Sequence, residues 1–288
     1  MATRYFQATG TDWSSAGSWE SATGGAGAVP LTTADQAVFR RGSPQVTSGL
    51  NQSAVDLVDA APIRAIHITR NCVPTIGTSG SSLQISSTGT FHNEAGGGRV
   101  YLTAGSANIA NVICDTLGEM YLTGGNFDTS IIGSNGLLNI NDSVGLSAVT
   151  LRINGSCNCT IEYAADVTDP TIVLDSGFLW LKRPTTALTI NGGRCILEVR
   201  NEASAGTAIT LNGGRLDWRL GDGSITANGG FLDFSNAADE IALTATVQIP
   251  ANVIGNRLVT QTSITLGTGR LALYGGPALG GGGGNVDG

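Results

Sequence analysis

Three times between Ala187 and Phe234 a short apolar pattern runs into Asn-Gly-Gly, at Asn191, Asn212 and Asn228, and each time a second short pattern leaves the glycines. Two and four residues beyond the second Gly stand Cys195 and Leu197, Leu216 and Trp218, Leu232 and Phe234. Alternation of period two puts each pair on one face of a strand and turns the residue between them, Asp217 or Asp233, to the other. A glycine corner followed by a half-buried strand, repeated at short spacing, is the pattern of a solenoid in which every rung buries its apolar edge against the next.

The same signature, Gly followed by apolar residues at +2 and +4, recurs at Gly98 (Val100, Leu102), Gly118 (Met120, Leu122), Gly136 (Leu138, Ile140), Gly155 (Cys157, Cys159), Gly177 (Leu179, Leu181) and Gly269 (Leu271, Leu273). From Gly98 to Gly230 the intervals are 20, 18, 19, 22, 16, 21 and 16 residues, about 19 on average. Upstream, Ile66/Ile68 and Leu83/Ile85 fit the same two slots, so the ladder is expected to begin near residue 63. Most intervals hold a second apolar pattern before the closing glycine, as at 109–114, 148–153, 171–174, 187–190 and 207–211. Two or three short strands per rung predict an all-β fold, a single-stranded parallel β-helix of about eleven rungs. The right-handed form is expected from the chirality of strand connections. The organisation reads as a cap or attachment region at 1–62, the β-helix at 63–273, and a Gly-rich tail at 274–288. Between Gly230 and Gly269 the pattern gives no register, and Ile249-Pro250 suggests a bulge or an edge.

Composition agrees. Glycine is abundant, at 42 residues of 288, and only 13% of residues are charged. No stretch carries a sustained 3.6-residue periodicity. The net charge is −7 and Lys182 is the only lysine, which speaks against a nucleic-acid surface. No apolar run has membrane-spanning length and no charged-then-apolar signal segment opens the chain, so the product is expected to be made and assembled in a cytoplasm. Cys72, Cys114, Cys157, Cys159 and Cys195 are odd in number and scattered, which argues against a disulfide framework. Cys157 and Cys159 fall on core slots, so they read as packing residues rather than metal ligands. Gly221-Asp222-Gly223 lacks the glycine-rich calcium repeat around it, and no cofactor is expected.

The opening segment carries a second signal. Ala2, Thr3, Arg4 and Tyr5 are followed by Trp13 and Trp19, Gly24 and Gly25, Val29-Pro30, Thr33-Ala34-Asp35, and Val38-Phe39. This resembles the N-terminal segment of bacteriophage structural proteins that begin ATRY-W and continue through G-x-W-S, SGG-x-GG and VP-T-ADD-V-F. Phe6 stands where that family has Trp, and Gln36 where it has a second Asp. The resemblance covers about the first 40 residues. It implies a virion component with a β-solenoid body, located on the particle, and brings no catalytic residues with it. Trp13 and Trp19 read as cap packing, or as an attachment surface, since aromatic residues favour interfaces.

Outward positions decide whether a site exists. Arg99, Arg194, Arg215 and Arg270 each follow a corner glycine, and Glu198, Asp217, Arg219 and Asp233 fall on outward slots. Acids on neighbouring rungs can supply a general acid and base about 5–10 Å apart for cleaving a polysaccharide. Glu198, Asp217 and Asp233 are therefore the candidates for a tail-spike depolymerase. The interleaved arginines favour charge pairing instead. The leading expectation is a non-enzymatic capsid decoration, fibre or spike subunit, homotrimeric, whose partners are its own copies and other virion proteins. Contact with a host surface glycan, as an adhesin, is the other alternative. In the tail, Gly280 to Gly284 permit close backbone approach and Val286 is the one apolar anchor, so this end is expected to lie against another chain as an assembly contact.

Overall fold

The computed structural model describes residues 90–104, 109–146, 149–163, 170–183, 185–199, 207–220 and 223–234. It also describes short pieces at 3–6, 19–21, 36–39, 65–70, 75–76, 83–85, 241–243, 248–249, 252–255, 258–260, 265–266 and 271–273. Every regular element among them is a strand, and apart from one antiparallel pairing, Thr3–Phe6 with Trp19–Ser21, all inter-strand pairings given for them are parallel. The chain is a β-solenoid with all-parallel rungs.

Two ladders run along it. The corner face carries the strands that leave the glycines: Arg99–Ala104, then 119–122, 137–140, Asn158–Ile161, Phe178–Leu181, Arg194–Glu198, Arg215–Leu220, Phe231–Phe234, Asn252–Gly255 and Leu271–Leu273. The approach face carries the strands that lead into the corners. These run from Gln36–Phe39 through Ala65–Ile68, Thr90–Asn93, 111–114, 130–133, Thr150–Ile153, Thr171–Leu174, Ala187–Ile190 and Thr207–Leu211 to Gly223–Ala227. A short third face pairs Val144–Gly145 with 125–126. The run Ile109–Ile140 is extended throughout yet belongs to several rungs. Its segments pair in turn with strands of all three faces, and Gly125 and Gly136 bend it at positive φ.

The Asn-Gly-Gly corners show why two glycines are needed. A Cβ on Gly213 would lie 2.5 Å from the carbonyl oxygen of Asn191, one rung earlier, and Gly214 has φ of 73°. The first glycine is demanded by the close approach of backbone, the second by a conformation that L side chains rarely adopt. The asparagines then link the corners: Asn228 Nδ2 donates to Asn212 Oδ1 at 2.8 Å, Asn212 Nδ2 to Asn191 Oδ1 at 2.9 Å, and Asn191 Nδ2 to Asp175 Oδ1 at 2.8 Å. Asn191 and Asn212 each use both a donor and an acceptor, so the chain of hydrogen bonds repeats with the rungs.

Inside, the period-two residues stack in register. Leu179, Cys195 and Leu216 follow one another along the corner face, and Leu188 and Ile209 along the approach face. All are buried, as are Trp218 and Leu232. Burying each Leu or Ile side chain contributes about 1.5–3 kcal/mol. The Phe234 side chain lies outside the described residues. Arg183 is an unexpected member of the interior. It is buried and donates to the carbonyls of Val144 at 2.8 Å, Asn141 at 3.2 Å and Asp142 at 3.3 Å, so its guanidinium fastens a turn two rungs back.

The register differs from the sequence expectation in three places. Cys159 and Ile161, not Cys157 and Cys159, pair with Leu138 and Ile140. The corner around Gly155 is longer by two residues, and Cys157 packs inside the corner itself, its Sγ facing Gly133. Ile66/Ile68 and Leu83/Ile85 share one rung rather than two: the first pair is on the approach face, the second on the corner face. Parallel stacking also begins before residue 63, since Thr3–Phe6 pairs with Gln36–Phe39, which pairs with Ala65–Ile68. Beyond Gly230, Phe231–Phe234 continues in parallel to Asn252–Gly255 and Leu271–Leu273, and Ile249 pairs with Leu266. Trp13, Cys72, Arg270, Gly280, Gly284 and Val286 lie outside the described residues, as does the Trp19 side chain.

Candidate functional site

The three candidate acids do not form one group. Asp217 and Asp233 are cross-strand partners, as are Arg194 and Arg215. Arg194 donates to Asp217 from Nε at 2.7 Å and pairs with it through Nη2 at 2.5 Å. Arg215 Nε donates to the other Asp217 oxygen, and Arg215 Nη2 reaches Asp233 at 2.5 Å. The order is arginine, acid, arginine, acid, a zigzag across three rungs. Although these are outward slots, the Asp217 and Asp233 side chains are only 3% and 7% exposed, covered by the half-exposed arginines. Arg215 also lies over the Phe231 ring at 5.1 Å. The Asp217 carboxylate beside it raises the already high value of the Arg215 guanidinium. Both Asp217 oxygens accept from guanidinium nitrogens.

Glu198 is displaced from this row because the pairing shifts between Leu197 and Glu198. It accepts from Trp180 Nε1 at 3.1 Å, with Arg219 3.8 Å away. Lys182 sits 4.2 Å above the Trp180 ring and pairs with Glu162 at 2.9 Å. Further along the same face Tyr101 and Tyr121 stack at 4.6 Å, and Tyr121 Oη donates to Glu119 at 2.7 Å. Burial, helped by that bond, pushes Tyr121 up to about 12. Cys114, Cys157, Cys159 and Cys195 are buried and free; burial raises every one of these thiols, Cys157 to about 12.

A second arrangement lies on the outward side of the approach face. His67 and His92 are direct cross-strand partners on Ala65–Ile68 and Thr90–Asn93. Their rings stack 4.9 Å apart and 7° from parallel. Glu94, two residues beyond His92, places one carboxylate oxygen 2.8 Å from His67 Nε2 and the other 3.6 Å from His92 Nε2. Burial lowers the His92 imidazole, against the opposing pull of Glu94. The next acid along, Asp115, is held by Arg70 at 3.0 Å and by the Asn135 amide. Sequence reasoning passed over this group. The signal was present: AIHI and TFHN both carry His between two buried residues, at 25 residues' separation, but recognising it required assigning both strings to one face.

Compared with protein-family models, with curated proteins and with solved structures, the chain matches none.

Proposed function

We propose that this chain is a non-enzymatic structural component of a bacteriophage particle, a β-solenoid decoration, fibre or spike subunit that acts as a homotrimer and attaches to other virion proteins. One observation carries the reading. The two ends of the opening motif that resembles phage structural proteins pair with each other: Arg4 and Tyr5 stand beside Ala37 and Val38, and Phe39 is fully buried as the strand stacks onto Ala65–Ile68. The described strands at the two ends of that segment thus stack in parallel with the solenoid, which suits a unit that joins the rod to a larger assembly.

The depolymerase alternative has less support, because Asp217 and Asp233 are buried under guanidinium groups and Glu198 is engaged by Trp180. The test is sedimentation of particles released from the host in a density gradient, followed by detection of the chain with a specific antibody. Comigration with the particles is expected, and so is no release of reducing ends from host surface polysaccharide by the purified protein. A chain found only in the particle-free fraction, or polysaccharide cleavage that disappears in Asp217→Ala, would overturn the proposal.

A further inference from the structure

The chain contains two histidines, and the fold brings both to one place 25 residues apart in sequence. We propose that His67, His92 and Glu94 form a binding site for one divalent transition-metal ion, zinc by preference, clasping two rungs of the solenoid. One ring nitrogen from each histidine and a Glu94 oxygen lie within 4.8 Å of one another, and the two Glu94 oxygens stand 2.8 Å from His67 Nε2 and 3.6 Å from His92 Nε2. A tetrahedral zinc ion with bonds of about 2.0–2.1 Å requires donor atoms about 3.3 Å apart. Side-chain adjustments of an ångström or so therefore suffice, without backbone movement.

The fold supplies the preorganisation. Parallel register places His67 opposite His92, and the period of two places Glu94 on the same side as His92. Neighbouring cations are directed elsewhere: Arg70 pairs with Asp115 and Arg99 with Glu119, while the ion-pair partners of Glu94 are the two histidines. The three side chains are 28–30% exposed, which gives an ion a route in and leaves a coordination position for water. Two imidazoles with one carboxylate suit zinc, cobalt, nickel or copper, whereas calcium and magnesium favour oxygen donors throughout. The buried thiols are poor competitors, since only thiolates ligate and burial keeps these protonated.

The decisive experiment is titration of the folded full chain with cobalt(II) as the probe, read by visible absorption, with zinc competition. One equivalent of cobalt is expected to give weak d–d bands that zinc abolishes, with no response to calcium or magnesium. His67→Ala and His92→Ala should each weaken binding by at least about tenfold, the loss that removing even an outer hydrogen-bond partner of a metal ligand produces. Circular dichroism of each variant checks the fold. Because no other histidines exist, a parallel measurement avoids mutation: zinc should protect the wild-type imidazoles from acylation by diethylpyrocarbonate. Unchanged acylation with zinc present, cobalt binding that survives both substitutions, or intense thiolate charge-transfer bands in place of weak ones would each overturn the site.

Discussion

The arginine–aspartate zigzag at 194–233 and the histidine pair at 67–94 use the same device with opposite results. Parallel stacking sets like positions of successive rungs about 4.8 Å apart, so identical outward residues meet: Arg194 with Arg215, Asp217 with Asp233, His67 with His92. Like charges directly opposite are unfavourable and must be offset along the strand. In the first group the offset is Asp217, two residues after Arg215, and the acids sink beneath the guanidinium groups until they are nearly inaccessible. In the second it is Glu94, two residues after His92, and the cluster stays open. Fully charged partners consume each other's hydrogen-bonding capacity and close the surface. Imidazoles can stack in their neutral form and keep lone pairs to offer. The same geometry thus produces a structural tie at one end and a ligand-ready group at the other.

The contrast predicts unequal costs. Asp217→Ala leaves two guanidinium groups facing each other without the carboxylate between them. Removing one partner of a buried pair costs about 3–5 kcal/mol, and the half-exposed arginines reduce this to about 2 kcal/mol. Urea unfolding of the two proteins measures it. A cost below about 0.5 kcal/mol would make the zigzag no more than a surface ion pair.

Glu94→Gln should cost less than about 1 kcal/mol in metal-free buffer, because the carboxylate and both imidazoles are partly exposed and water can replace the lost partner. The same unfolding experiment decides. A loss equal to that of Asp217→Ala would erase the distinction between the two groups.

How much of this could be read from the chain depended on the corners. Where Asn-Gly-Gly marks the turn, the pairings of Cys195 with Leu216, Leu197 with Trp218 and Leu216 with Leu232 fall where the +2 and +4 rule places them, because close carbonyl approach and positive φ leave the glycines little choice of position. Around Gly155 the corner contains Ser156 and Cys157 before the strand begins, and the rule misplaced the pairing by two. Of the candidate site, the pairing of Asp217 with arginines was legible in their alternation. The buried position of Asp217, the separation of Glu198 by a register shift, and the reach of Arg183 to a turn some 40 residues away were not. Those depend on side chains folding over an outer surface, which a period-two pattern does not describe. The histidines were missed for a related reason: two strings can be matched in sequence before it is known which face each lies on.

Asp175 offers the smallest effect and the sharpest control, because it has a charged partner but little burial. Arg152 Nε donates to it at 2.5 Å, yet the two side chains are 57% and 24% exposed. Hydrogen bonding from the Asn191 amide, then from Arg152, holds its carboxyl below the usual value. A depressed carboxyl contributes stability that is present above its unfolded value of about 3.9 and is lost as the pH falls through the lower folded value. Solvent screening limits that contribution to a few tenths of a kcal/mol. Asp175→Asn should therefore lower the urea midpoint slightly at pH 7 and low salt, and the gap should close toward pH 2 or in high salt. If no gap appears at pH 7, Asp175 contributes only as the acceptor heading the asparagine chain, a role the substituted asparagine oxygen keeps. Its charge would then be incidental, and burial rather than pairing would be what separates the zigzag from every exposed pair on this rod.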